Sequence, residues 1–498
     1  MALTAESPRL SRRRDLAPVL GMAAGVGAVH LVLSGRYGFH HDELYLLAAR
    51  RHLALGYVDQ PPFVALLVRG LTAVVGEHLW ALRLVAGAAH AALVVVIAAV
   101  AAALGGRRRA VVMAGLAASL MPAFVEAGSR LGSLSVVLLW WGLAVLALVH
   151  LLGGGDRRWW LAVGLWLGLG LDTSRLGALV AVGVVAGLAS VPAARHHLRS
   201  RWWWAGMALA LVLWIPNVAW QAAHGWPLVD TGPRGTWAGG DGPAGFVVRQ
   251  LVMAGPVGLV LAGAGLAWSW RHPPWRVLVV VVAVVAAGLA AVGAAGVDLA
   301  PGYVVALPAG AVAVEAWAGA DLRRWRQAVG GVVANGLVLL PAVAPVTPVR
   351  TYADLYHDDV HAALGEQIGW PDMVGLVARV YEVLPADEKA GVRIVTARAG
   401  QAGAIDLYGP SRGVPRGTAL SAHAGAVAWW PDGQPAGTVI FLDYGRRELA
   451  PYCDAMGPIA VVGNPVGVTN DLFSAPISVC RSMRVTPTEL REALRRGG

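Results

Sequence analysis

Two acidic clusters lie close together in the stretch RYGFHHDELYLLAARRHLALGYVDQPPFVALLVRG: Asp42-Glu43, and then Asp59 followed by Gln60 and two prolines. A carboxylate beside an alcohol can act as a general base. A hydroxyl is a poor nucleophile until its proton is removed, and a positioned base contributes about 10²–10⁴-fold. The same residues have structural readings. Asp42 and Glu43 open a predicted helix over 42–53, amphipathic and lying at the membrane surface, where first-turn acids complement the helix dipole. Asp59 precedes Pro61-Pro62, which force a turn and then permit a helix start, so it can serve as a cap. On residue types alone the structural readings stand ahead of the catalytic one.

His40, His41 and His52 surround the acids. No HExxH or comparable ligand spacing accompanies them, so they are read as interfacial residues and no metal is expected. Arg83, Arg130 and Arg175 fall at predicted outward ends of apolar runs. There an arginine either snorkels at small cost or clamps a lipid phosphate with its planar fork. The segment WQAAHGWPLVDTGPRGTW offers Trp220, His224, Trp226 and Asp230. Its tryptophans are read as interfacial anchors, although aromatic faces also pack on sugar rings. In the tail, GxGxxG, Walker and serine-nucleophile patterns are absent, and His423, in a Ser/Ala/Gly stretch, is read as structural. The two cysteines, Cys453 and Cys480, exclude a zinc ribbon or a disulfide framework. They leave one optional bridge if that region faces an oxidising side.

The elements that must position these residues are membrane helices. Of 498 residues, 57% are apolar and 14% charged, against about 25% charged in soluble domains. The apolar excess gathers in runs of about 17–22 residues, the length that crosses ~30 Å of hydrocarbon as a helix. Spans are predicted at 16–34, 80–104, 110–127, 133–152, 159–173, 176–192, 203–221, 246–270, 277–296, 302–318 and 327–346. The first is read as a retained helix rather than a signal peptide. The net charge of +10 is almost wholly arginine, with Lys389 the sole lysine. Its blocks recur at every second junction, which marks topology and not a nucleic-acid groove. The expectation is a cell-membrane protein with a cytoplasmic N-terminus, a domain of eleven spans over 1–348 with a first outward loop at 35–79, and an outward α/β domain at 349–498. In that tail GVRIVTAR, GTVIFLDYG and ISVCRSM read as strands, and 372–384, 446–455 and PTELREALRR as helices.

The stretch HHDELYLLAARRHLALGYVDQPP resembles the signature of bacterial glycosyltransferase family 39, relatives of protein O-mannosyltransferases and lipid A aminoarabinose transferases in the GT-C superfamily. ALRL at 81–84, IPNVAWQAAHGWP, GAVAVE, AGAIDLYGP, NPVGV and APISVCR extend the likeness in order along the chain. The resemblance implies an enzyme that moves a sugar from a polyprenyl-phosphate carrier to a glycan, lipid or protein hydroxyl outside the cytoplasm. It makes Asp42 the general base and Glu43 its neighbour in positioning, and it reverses the odds that residue types alone assign to that pair. Tyr57, His52, Asp59, Gln60, His224 and Tyr303 become substrate-side residues and Arg83 a structural or phosphate-side one. Arg130 or Arg175 would stabilise the phosphate leaving group. Inversion by single displacement follows, with no cofactor, metal or nucleic acid required.

The chain departs from the family at three places. The acid expected after the third span is missing in GSRLGSLSVV. A lysine-bearing segment reads LDTSRLG, where Arg175 can replace the cation, and a Lys-x-Tyr-Tyr segment reads AAGVDLAPGY, where Asp298 reverses the sign. Those departures keep a catalytically silent binding subunit in view. A transporter or flippase of lipid-linked sugars fits less well, since no inverted repeat is found and the acids lie at the surface.

Overall fold

Hydrocarbon offers no water to a backbone amide, so each apolar run must close its hydrogen bonds within a helix. The computed structural model of the chain follows that rule. It describes residues 8–230, 242–291, 296–355 and 362–497, apart from 431–436, 455, 464, 465, 469 and 471. Among the described residues six helices are long and apolar enough to span a membrane, and nine if each of three bent pairs is one span. Pro122 and Pro192 begin the second halves of two bent pairs, and Gly255-Pro256 those of the third, where proline cannot continue the hydrogen-bond ladder. The expected eleven is therefore not reached by length and composition. Trp159–Thr173 is a helix of 15 residues, about 22 Å long at 1.5 Å per residue, and so short of the hydrocarbon thickness.

The chain divides into two compact units. The first comprises residues 1–34, 83–226 and 232–344 and holds the long apolar helices. Its helices approach at glycines. A Cβ on Gly164 would overlap the Gly206 carbonyl, and one on Gly310 the Leu261 carbonyl. With no hydrophobic drive between helices in lipid, close backbone packing is what holds such pairs together.

The second unit joins residues 35–82, 227–231 and 345–498, so the first loop, expected with the spans, is grouped with the tail. Its sheet runs in the order β2-β1-β3-β5-β4. Here β1 is Arg393–Thr396, β2 Ala419–Ser421, β3 Val439–Leu442, β4 Met456–Val461 and β5 Pro476–Cys480. Strands β1, β2 and β3 are parallel, with Ile394 paired to both Ala419 and Ile440, while β5 runs antiparallel to β3 and β4. The three expected strands are β1, β3 and β5. The missed two are a three-residue edge strand and one carrying Gly457-Pro458, composition that demotes a strand reading and suits an edge. Val395, Val439, Phe441, Tyr444, Leu449 and Cys480 form the core behind the sheet, and Cys453 is disulfide-bonded to Cys480. Since β1, β2 and β3 point the same way, the residues that follow them share one edge of the sheet.

Within this unit Glu77 ties the loop to the tail. Arg50 pairs with it closely, Arg51 lies at 3.2 Å, and Arg416 spans both carboxylate oxygens at 3.1 Å. Arg51 also reaches Asp406 at 2.8 Å. Burial raises the Glu77 pKa, but the three arginines outweigh it and hold it below the ordinary value. A carboxylate lowered in the folded state adds stability above its unfolded pKa, and that stability is lost as pH falls through the folded one. We expect Glu77→Gln to destabilise the unit by about 2 kcal/mol at pH 7, between an exposed and a buried pair. Thermal melts of variant and wild type should converge as pH falls below the ordinary carboxylate range and through the lowered folded pKa of Glu77.

Candidate active site

The helix His41–Ala49 starts where its cap chemistry demands. His40 has extended backbone and its Nδ1 accepts the Asp42 amide at 3.2 Å. Glu43, three residues on, reaches back to accept the His40 amide at 2.9 Å, completing a capping box. Glu43 is fully buried and committed to that bond. Asp42 is not: its side chain is 53% exposed, with Oδ1 3.1 Å from His41 Nε2 and Oδ2 3.5 Å from His40 Nδ1. His41 Nδ1 lies 3.6 Å from Glu366, contributed by the tail. Burial works against a charged His41, yet Asp42 and Glu366 on either side push its pKa up to about 10. An imidazolium therefore stands between two carboxylates at neutral pH.

The helix ends at Ala49, four residues before the expected end. It is not the amphipathic surface helix expected, because six of its nine residues are buried. LYLLAA is apolar on every face, and such a helix sinks into a core. It packs against the crossover helix Ala399–Tyr408, where a Cβ on Gly400 would lie 2.8 Å from His41 Cβ and one on Gly403 would overlap the Leu44 carbonyl.

Asp59 has a partner set of its own. Tyr45 donates its hydroxyl to Asp59 Oδ1 at 2.7 Å, and His423 Nδ1 lies 3.7 Å from Oδ2. Burial, then the Asp59 charge, raises the Tyr45 pKa far above its usual value, so it stays a donor. The cap reading of Asp59 gives way, since Phe63–Val75 starts at Pro62 with no side-chain cap bond. Tyr57 is buried, and its amide donates to the Gln60 carbonyl at 3.2 Å. His52 is exposed and stacks on Trp429 with ring centres 4.8 Å apart. Because Asp42 and Tyr45 are three residues apart on one helix, the two acidic clusters adjoin.

The second unit thus brings together Asp42, Glu43, His52, Tyr57, Asp59 and Gln60. The other expected site residues belong to the first unit. Arg83 is buried and donates to the Ser34 carbonyl at 2.8 Å. Arg130 pairs with Glu126 at 2.9 Å, so an acid does sit near the third-span position, one turn before Arg130 and two residues before the segment GSRLGSLSVV. Arg175 is half-buried in the break between Trp159–Thr173 and Gly177–Ser190. His224 stacks on Trp220 and bonds its carbonyl at 2.8 Å, closing a helix end. Tyr303 is buried and donates to Gln250 at 2.7 Å. The Asp230 side chain lies outside the described residues. Glu126, Glu366, His423 and Trp429 were missed, and nothing local to the tail residues marks them, since their partners are more than 300 positions away.

Among the described residues one group has donor atoms close enough for a cation: His40, His41 and Asp42, all within 4.8 Å. Those same atoms are engaged in the helix cap and the ion pairs above.

The family model described as dolichyl-phosphate-mannose-protein mannosyltransferase matches residues 59–220. Among solved structures the chain is similar to ArnT from Cupriavidus metallidurans, in a form bound to undecaprenyl phosphate and in the apo form. In each case identity is 15% and the TM-score 0.56, over 93% of this chain and 97% of that one. The chain has an ArnT-like fold. A weaker likeness, to the S. cerevisiae protein O-mannosyltransferase Pmt1–Pmt2 complex bound to its sugar donor, has 14% identity and a TM-score of 0.36 over 46% of this chain and 35% of that one. No curated sequence matches. The chain is a multi-pass membrane protein whose likeness in fold to ArnT runs nearly end to end. The matched family segment begins at Asp59, so Asp42 and Glu43 lie just before it.

Proposed function

We propose that this protein is an inverting glycosyltransferase that takes a sugar from a polyprenyl phosphate and delivers it to a hydroxyl. The observation that carries the reading is Asp42, a half-exposed carboxylate ion-paired with His41 at a helix start whose capping is done by Glu43. The acceptor hydroxyl gives its proton to Asp42 as its oxygen attacks the anomeric carbon. The bond from that carbon to the phosphate oxygen breaks, and the carrier leaves as polyprenyl phosphate with the bonding electrons. With one base and no covalent nucleophile, configuration inverts. ArnT bound to undecaprenyl phosphate supports the choice of donor class. A phosphate leaving group needs positive charge more than a proton. No cofactor or metal enters this scheme.

The test is to incubate membranes with a panel of polyprenyl-phosphate sugars and measure released carrier. Release above a vector control with at least one sugar is expected, and none with any sugar would favour a silent relative.

The N-terminus is assigned to the cytoplasm and the second unit to the outer face, from the arginine blocks. The disulfide supports that side, since such bonds persist in oxidising compartments. Thiol trapping in intact cells should find Cys453 and Cys480 protected until reductant is added, whereas labelling without reductant would place the tail inside.

A further inference from the structure

We propose that His423, with Asp59 and Gln60, forms a saccharide subsite that binds a ring hydroxyl, a reading that takes the class of its ligand from the transferase function above. Ligands of open α/β sheets gather at the carboxyl ends of the strands, and His423 follows β2 by two residues on the edge shared with β1 and β3. Its backbone holds the turn: the amide donates to Ser421 Oγ at 3.1 Å, and the carbonyl accepts from Ala426 and Val427 at 2.8 and 3.0 Å. The imidazole makes no cap bond there. Its buried Nδ1 has no hydrogen-bond partner, while the Gln60 side chain lies within reach of the Tyr45 hydroxyl. Buried polar atoms of this kind cost about 1–3 kcal/mol each unless something bonds them.

The geometry names what that something is. His423 Nδ1 and Asp59 Oδ2 are 3.7 Å apart, too far to bond each other. A single oxygen about 2.8 Å from both would see them at an angle of roughly 80°. A hydroxyl fills that place by accepting from the imidazole N–H and donating to the carboxylate. The surroundings suit a sugar ring, with flat apolar faces beside polar tips. Tyr45 meets His423 edge-on at 5.7 Å, and Trp429 stacks on Tyr45 at 5.8 Å and on His52 at 4.8 Å. At Gly425 the tail passes so near that a Cβ would lie 2.7 Å from Asp59 Oδ1, leaving the carboxylate uncovered by any side chain from that position. Tyr45, one turn from Asp42, connects the subsite to the proposed base.

The test uses the purified full-length protein and saturation-transfer NMR with methyl glycosides of mannose, glucose, galactose and arabinose. Wild type should bind at least one of them, and His423→Ala should weaken that binding at least tenfold. His423→Gln, which keeps a hydrogen-bonding tip, should lose less. Thermal melting checks folding, and Gln60→Leu offers a second route should His423→Ala melt early. Displacement of the glycoside by a polyprenyl-phosphate sugar, but not by polyprenyl phosphate, identifies the donor sugar as the occupant; no displacement identifies the acceptor. Equal affinity in wild type, His423→Ala and Gln60→Leu, or no binding to any glycoside, overturns the subsite. Binding without turnover on any donor would instead leave the subsite standing and remove the transferase reading.

Discussion

Asp42→Asn should lower sugar transfer by about 10²–10⁴-fold, the range a positioned general base supplies. Asparagine keeps the size of the side chain and an oxygen to accept from His41, but it cannot take the acceptor's proton. The helix start does not depend on Asp42, because the cap bonds run through the His40 imidazole, the Asp42 backbone amide and the Glu43 carboxylate. The variant should therefore insert and fold, with a lower melting temperature because the His41 imidazolium loses the Asp42 charge. Glu43→Gln is the informative contrast. It touches the capping box and should cost about 1 kcal/mol of stability, with activity falling only as far as the helix start loosens. Carrier release and melting temperature, measured on both variants, separate the two roles. Full transfer by Asp42→Asn would remove Asp42 as the base.

How far the sequence foretold this arrangement depends on the range of the interaction. The membrane-spanning character was legible because lipid imposes a composition rule on about twenty consecutive residues, while the expected eleven spans compare with six to nine among the described residues. Strands β1, β3 and β5 were legible from β-branched runs such as RIVT and VIFL. The surface placement of His41–Ala49 failed because nothing in LYLLAA records that a glycine-bearing helix some 360 residues later lies against it. The two acids of DELY were indistinguishable as residue types. Only their hydrogen bonds separate them, one carboxylate closing the helix and the other facing out. His423 and Glu366 sit beside Asp59 and His41 through tertiary folding alone, so no spacing could announce them.

The same long-range dependence sets the second large expected effect, at a residue remote in sequence from either acid. Gly403 lies on the crossover helix after β1, and a Cβ there would overlap the Leu44 carbonyl and come within 2.8 Å of its carbon. These are backbone atoms, so no side-chain rotation relieves the clash, and the two helices must part by roughly 1 Å to restore contact distance. Leu44 lies between Asp42 and Tyr45, so the proposed base and the donor to Asp59 move together. A displacement of that size costs about 10²-fold when catalysis rests on alignment, and overpacking a buried contact costs about 1–3 kcal/mol. Gly403→Ala should thus lose most transfer while the protein still folds, with both acids chemically intact. Gly391→Ala, in the same unit with nothing within 4 Å of the added carbon, is the matched control and should be neutral in both assays. Wild-type transfer by Gly403→Ala would mean that the seat of Asp42 against the tail does not matter to the chemistry, and would return the catalytic role to the loop alone.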